Sequence, residues 1–202
     1  MNHIKAIVFD MDGVILDTET MVDKSWIIAA KEFNLPQIQD AMIACLGTNK
    51  NDTLDILNKK YGHLCNPQDF LSRASELFHK LEFEEGIALM PYAKECLEYL
   101  KPKYRIALAS STRNELVIRQ LKNANVLEFF KPDPEIYLKA CEELNIPPEN
   151  CIAIEDSPNG LKSAFFAGLN TIMVPDKIQP NEELNQFIWK KCDSLKNVMD
   201  ML

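Results

Sequence analysis

No apolar run in this 202-residue chain approaches the ~20 residues that would cross a bilayer. No basic stretch followed by a cleavable apolar segment opens it, so no leader is expected. No C-x-x-C pair occurs among the six cysteines, Cys45, Cys65, Cys96, Cys141, Cys151 and Cys192. Their spacing fits neither a metal site nor a disulfide framework, and most lie among apolar neighbours. Buried free thiols in a reducing, cytoplasmic compartment are the expectation. Histidine is scarce, and His3, His63 and His79 are scattered singly, which gives no imidazole cluster. Positive charge is in deficit: 22 basic against 30 acidic residues leave a net charge of −8. That balance argues against a nucleic-acid or anionic-membrane partner. An anionic small substrate stays open, because a bound cation can reverse the local field. Repeats and low-complexity segments are absent, and the sequence gives no reading of oligomeric state.

What is present is a globular composition, 47% hydrophobic, and enough length for one large domain or two small ones. The most informative stretch is Ile7-Val8-Phe9-Asp10-Met11-Asp12-Gly13-Val14. A short apolar run ends in aspartates at i and i+2, and on an extended backbone such side chains point the same way. Two carboxylates that close repel and desolvate badly unless a cation or a shared proton sits between them. The bland alternative is a pair of solvated turn residues.

The run from Ile4 to Phe9 is apolar except for Lys5, as in a parallel strand covered on both faces. From about Glu19 to Met90 the pattern turns helical. Trp26, Ile27, Ala30 and Phe33 share one face. Short helices are expected over 39–46 and through Leu54, Leu57 and Tyr61, separated by the polar turn 47–51, and Pro67 opens a fourth helix. After Pro91 strands and helices alternate. Strands are predicted at 105–109, 151–154 and 171–174. Helices are predicted at 93–101, 114–123, from Pro134 through Leu144, 158–167 and from Ser194 onward. This alternation predicts an α/β fold: a Rossmann-like parallel sheet with helices on both faces, formed by residues 1–17 and 91–202, interrupted by a small all-helical cap domain at 18–90.

Asp10/Asp12, Ser110 and Glu155/Asp156 each follow a predicted strand. Open parallel sheets bind ligands beyond the carboxyl ends of their strands, so the three clusters are expected at one site. Four converging carboxylates suit a hard divalent cation such as Mg²⁺. Ser110, followed by Ser111 and Thr112 where a helix begins, offers donors to phosphate oxygens. Lys131, in Phe130-Lys131-Pro132-Asp133-Pro134, is the basic residue in a loop of fitting character.

These motifs together resemble the haloacid dehalogenase superfamily, in its branch of capped phosphatases and β-phosphoglucomutase-like enzymes. Asp10-Met11-Asp12-Gly13-Val14 matches that family's D-x-D-G-V. Ser110 matches the Ser/Thr after a strand, Lys131 the lysine before a Pro-x-Pro loop, and Glu155-Asp156 the acidic pair. All four occur in order across nearly the whole chain. The resemblance implies a Mg²⁺-dependent phosphatase of small phosphorylated metabolites, sugar phosphates or nucleotides. It implies Asp10 as nucleophile and Asp12 as acid and base. It implies Ser110 and Lys131 on the phosphoryl group, and Asp10, Asp156, the Asp12 carbonyl and Glu155 at the metal. Lys50, beside Asn49 in the cap, and Arg113 and Asn114 in the core are candidate substrate contacts. The alternatives are a β-phosphoglucomutase-type mutase and a non-catalytic phosphate-binding relative.

Two departures from the family pattern stand out. Relatives carry about ten or more residues, forming an edge strand, before the motif lysine. Here Phe129-Phe130 runs straight into Lys131-Pro132, so either that strand is missing or the sequence is. Mutases typically carry a histidine soon after the first motif, and Asp17-Thr18-Glu19-Thr20-Met21-Val22 has none. That favours the phosphatase.

Overall fold

The computed structural model describes residues 3–130 and 137–202. The chain forms two compact units, Met1–Asp17 with Ile87–Leu202, and Thr18–Gly86. Lys131 and the junction after Phe130 lie outside the described residues.

The first unit is built on a five-stranded sheet, all of its pairings parallel. Its strands are β1 (Ala6–Asp10), β2 (Arg105–Ala109), β3 (Cys151–Glu155), β4 (Asn170–Met173) and β5 (Lys190–Lys191). Their order is β2-β1-β3-β4-β5, so β1 is flanked on both sides. The apolar runs explain this placement. Ala6 and Val8 pack on one face with Ala107, Ala153, Tyr137 and Leu144. Ile7 and Phe9 alternate to the other face, and all four are fully buried. A strand covered on both sides has no use for a polar residue until its end, which is where Asp10 stands. The Lys-Lys pair of β5 is exposed. It enters the sheet through its backbone register, Lys190 opposite Ile172 and Lys191 opposite Met173. A short turn of helix, Glu182–Asn185, precedes it, and neither element has an apolar signature.

The crossing between the units is pinned on the core side. Asp17 N–H donates to Ala88 O at 2.9 Å, and Met90 N–H donates to Ile15 O at 2.9 Å. Residues 87–90 therefore belong with the sheet, four residues before the boundary drawn from the sequence.

The second unit consists of α1 (Thr18–Glu32), α2 (Ile38–Cys45), α3 (Lys50–Tyr61) and α4 (Pro67–Glu85). Asn49 caps α3 by accepting from Asn51 and Asp52 N–H. Asn66 caps α4 ahead of Pro67, the position where a missing N–H costs nothing. Phe70 is the unit's centre. It is 1% exposed and meets the rings of Trp26 at 5.3 Å and Phe33 at 6.0 Å, edge to face. The Tyr61 hydroxyl reaches the Pro36 carbonyl at 2.8 Å and ties α3 to the turn before α2.

Phe70→Ala removes this centre and is expected to cost ~3–5 kcal/mol. Urea unfolding followed by Trp26 fluorescence should show the loss. A cost below ~1 kcal/mol would mean that the unit is held by something else.

Candidate active site

The strand order sets the site. Phe9 is opposite Ile154 in the β1–β3 pairing, and Asp10 is opposite Ala109 in the β1–β2 pairing. Asp10, Glu155 and Ser110 therefore stand side by side where three neighbouring strands end. Ligand oxygens of Asp10, Glu155 and Asp156 all lie within 4.8 Å of one another. Among the described residues this is the group able to hold a metal ion.

Several features hold the acids this close. Glu155 is 3% exposed and is gripped by donors. The Tyr137 hydroxyl donates to Oε1 at 3.0 Å. Asp156 N–H, Ser157 N–H and the Ser157 hydroxyl donate to Oε2 at 3.0, 2.9 and 3.0 Å. Burial pushes the Glu155 carboxyl up, and these donors oppose it. Ser157 also caps helix α8 (Pro158–Phe166), accepting from Gly160 N–H at 3.1 Å.

Two glycines leave the room. Gly13 has φ +76°, and a Cβ there would lie 2.6 Å from an Asp156 carboxylate oxygen. A Cβ on Gly160 would fall 1.7 Å from Glu155 Oε1. The D-x-D-G spacing thus has a steric reason as well as a conformational one.

Asp10 carries the electrostatic consequence. Its carboxyl is pushed well above the ordinary carboxylate range, first by burial, then by Glu155, Asp12 and Asp156. Asp12 turns the other way and accepts from the Thr112 hydroxyl at 3.3 Å. The donor set is all oxygen and all acidic, which fits a hard divalent cation.

The haloacid dehalogenase-like hydrolase profile matches residues 4–168. The chain belongs to this family. It is 31% identical over 182 residues to the phosphorylated carbohydrates phosphatase of Thermotoga maritima, covering 84% of each chain. It is 30% identical over 192 residues to the beta-phosphoglucomutase of Bacillus subtilis, covering 85% of this chain and 83% of the relative. A family hydrolase from Deinococcus radiodurans, solved with bound phosphate and sodium, superposes with a TM-score of 0.78 at 23% identity, over 96% of this chain and 93% of that one. The last comparison speaks for the fold.

Within this haloacid dehalogenase-like frame, Asp10, Asp12, Ser110, Glu155 and Asp156 gather at the strand ends. Ser110 is buried, and its hydroxyl accepts from Thr112 N–H at 3.1 Å. Arg113 and Asn114 are exposed at the start of α6 (Asn114–Asn123). Lys50 is exposed as the first residue of α3, in the helical unit. The expected capping of α6 by Ser111 or Thr112 is corrected: Arg113 occupies the cap position without a side-chain cap bond. The Thr112 hydroxyl is engaged with Asp12 instead.

Sequence reasoning missed Tyr137 and Thr112. Both act on acids far along the chain, and Thr112 is 100 positions from Asp12. A hydroxyl residue opening the helix before the acidic strand was the only signal for Tyr137.

The upward shift of Asp10 makes its charge a burden on the metal-free protein. An acid with a raised folded-state pKa is destabilising above that pKa, and the penalty disappears below the unfolded-state value. Asp10→Asn should therefore raise Tm in chelator at pH 7, by ~2–4 °C for each kcal/mol relieved. The gap should close as pH falls below the ordinary carboxylate range. Mg²⁺ should stabilise the wild type more than the variant. Differential scanning fluorimetry reads all three, and a lower Tm for the variant in chelator would contradict the charge argument.

Proposed function

We propose that the protein is a cytoplasmic, Mg²⁺-dependent phosphatase of small phosphomonoesters, of the sugar phosphate or nucleotide class, working through an aspartyl-phosphate. The observation that carries this is the Asp10, Glu155 and Asp156 cluster, with Asp12 two residues from Asp10, in a haloacid dehalogenase-like hydrolase. The name of the Thermotoga maritima relative supports the sugar phosphate class.

In this reading an Asp10 carboxylate oxygen attacks phosphorus, and the bond from phosphorus to the ester oxygen breaks. Asp12 gives that oxygen a proton. It then takes one from the water that attacks the aspartyl-phosphate, releasing inorganic phosphate and restoring Asp10. The Thr112 hydroxyl holds the Asp12 carboxyl for both transfers. Ser110, one residue past β2, and Lys131 bind phosphoryl oxygens. Mg²⁺, held by Asp10, Asp156 and the Asp12 carbonyl, with Glu155 directly or through water, supplies positive charge against the phosphoryl group. The helical unit is the cap that excludes water and selects substrate, with Lys50, Arg113 and Asn114 as candidate contacts.

The mutase is the second reading, favoured by the 30% identity to a beta-phosphoglucomutase. The absence of histidine from residues 17–22 weighs against it. A phosphatase also asks less of the site: it need only admit water, whereas a mutase must keep water from the aspartyl-phosphate.

The deciding experiment is phosphate release from a panel of sugar phosphates, nucleotides and p-nitrophenyl phosphate with Mg²⁺. Release should stop in chelator and fall by at least ~10³-fold in Asp10→Asn. Conversion of β-glucose 1-phosphate to glucose 6-phosphate without net phosphate would establish the mutase instead. Calorimetric binding of Mg²⁺ or phosphate with no turnover on any substrate would leave a non-catalytic binder.

A further inference from the structure

On the far side of α7 (Tyr137–Leu144) from the acids, two thiols meet. Cys141 lies one turn along α7, and Cys151 opens β3. Both are buried and carry no disulfide. The Cys151 thiol hydrogen bonds to the Cys141 sulfur. The Pro147 carbonyl is a second acceptor, 3.5 Å from the Cys151 sulfur. Cys141 also lines a surface cavity of about 440 Å³, together with Leu138, Glu142, Asn145, Pro147 and Pro148. The cavity reaches one thiol of the pair, and the other stands behind it.

The geometry points to Cys141 and Cys151 as an oxidisable dithiol, with hydrogen peroxide or a small organic hydroperoxide entering the cavity as the oxidant. A small oxidant needs little room, and the cavity gives it a path to a sulfur that the outer surface hides. The nucleophile in such chemistry is the thiolate. The donor from Cys151 holds the Cys141 thiol below its ordinary range, while burial opposes it. Donating that hydrogen bond pushes the Cys151 thiol up, with burial adding to it. The roles therefore divide, with Cys141 attacking and Cys151 resolving.

With hydrogen peroxide, the Cys141 sulfur attacks one oxygen and the O–O bond breaks. The departing hydroxide takes the thiol proton as water, which leaves a sulfenic acid. The Cys151 sulfur then attacks the Cys141 sulfur, the S–S bond forms, the S–O bond breaks, and a second water leaves with the Cys151 proton. Two thiols lose two electrons and one peroxide becomes two waters. The new bond would join α7 to β3, the two elements already joined by the Tyr137–Glu155 hydrogen bond.

The test uses the intact protein and is independent of its phosphatase activity. No Lys or Arg lies between Cys141 and Cys151, so one tryptic peptide, Ala140 to Lys162, carries both. After peroxide treatment, denaturation and alkylation with N-ethylmaleimide, that peptide should lose both alkyl groups and two hydrogens. Dithiothreitol should restore both. Cys151→Ser should stop at a Cys141 sulfenic acid that dimedone captures, and Cys141→Ser should leave Cys151 fully alkylated. The wild-type map stands even if a variant misfolds. Full alkylation of Cys141 and Cys151 at a peroxide dose that oxidises the more exposed Cys45 would overturn the proposal, as would a disulfide from Cys141 to any other cysteine.

Discussion

The mutual repulsion of acids at the ends of β1 and β3 is the constraint to which the rest of the core answers. Burial makes it costly, because low polarity strengthens like-charge repulsion while removing water that would screen it. The upward shift of Asp10 registers that cost. A sheet whose middle strands are buried on both faces can bear it. Ile7, Val8 and Phe9 on β1, and Ile152, Ala153 and Ile154 on β3, are all fully buried. They fix where Asp10 and Glu155 stand, so the acids cannot relax apart without unpairing the sheet.

The same constraint explains the glycine economy. The chain has only six glycines, and two of them face this cluster. Gly13 and Gly160 each stand where a Cβ would strike a carboxylate. Neither is replaceable by a small residue, because the obstacle is another residue's charged head rather than a flexible hydrocarbon. The helical unit obeys a different rule. Its stability rests on an aromatic centre around Phe70 and on side-chain caps at Asn49 and Asn66, and it is joined to the sheet by two crossings only.

This division shows which parts of the molecule could be read from sequence. The central strands, the helical insertion and the Asp-x-Asp-Gly turn were legible because each rests on local chemistry: apolar runs, a helical period, and acids where burial ends. β5 was not legible, because Lys190 and Lys191 join the sheet through backbone pairing alone. Tyr137 and Thr112 were not legible either, because a hydroxyl shows nothing of the distant carboxylate it will meet. The boundary near residue 90 was drawn at Pro91, an obvious breaker. The deciding interactions are backbone hydrogen bonds between 15–17 and 88–90, which no side chain announces.

Counting lone pairs sharpens the part played by Glu155. A carboxylate offers about four acceptor sites, two on each oxygen. Glu155 Oε2 receives three donors, from Asp156 N–H, Ser157 N–H and the Ser157 hydroxyl, and has none to spare. Oε1 receives Tyr137 and faces the bare Cα of Gly160, which leaves one. A metal ion in the proposed site would therefore draw mainly on Asp10 and Asp156. The larger contribution of Glu155 is to hold the turn 155–157 by its backbone N–H groups, so that the Asp156 side chain projects toward Asp10. The acidic pair is thus an orienting acid followed by a presenting one, and their order along the chain follows from which of them the strand buries.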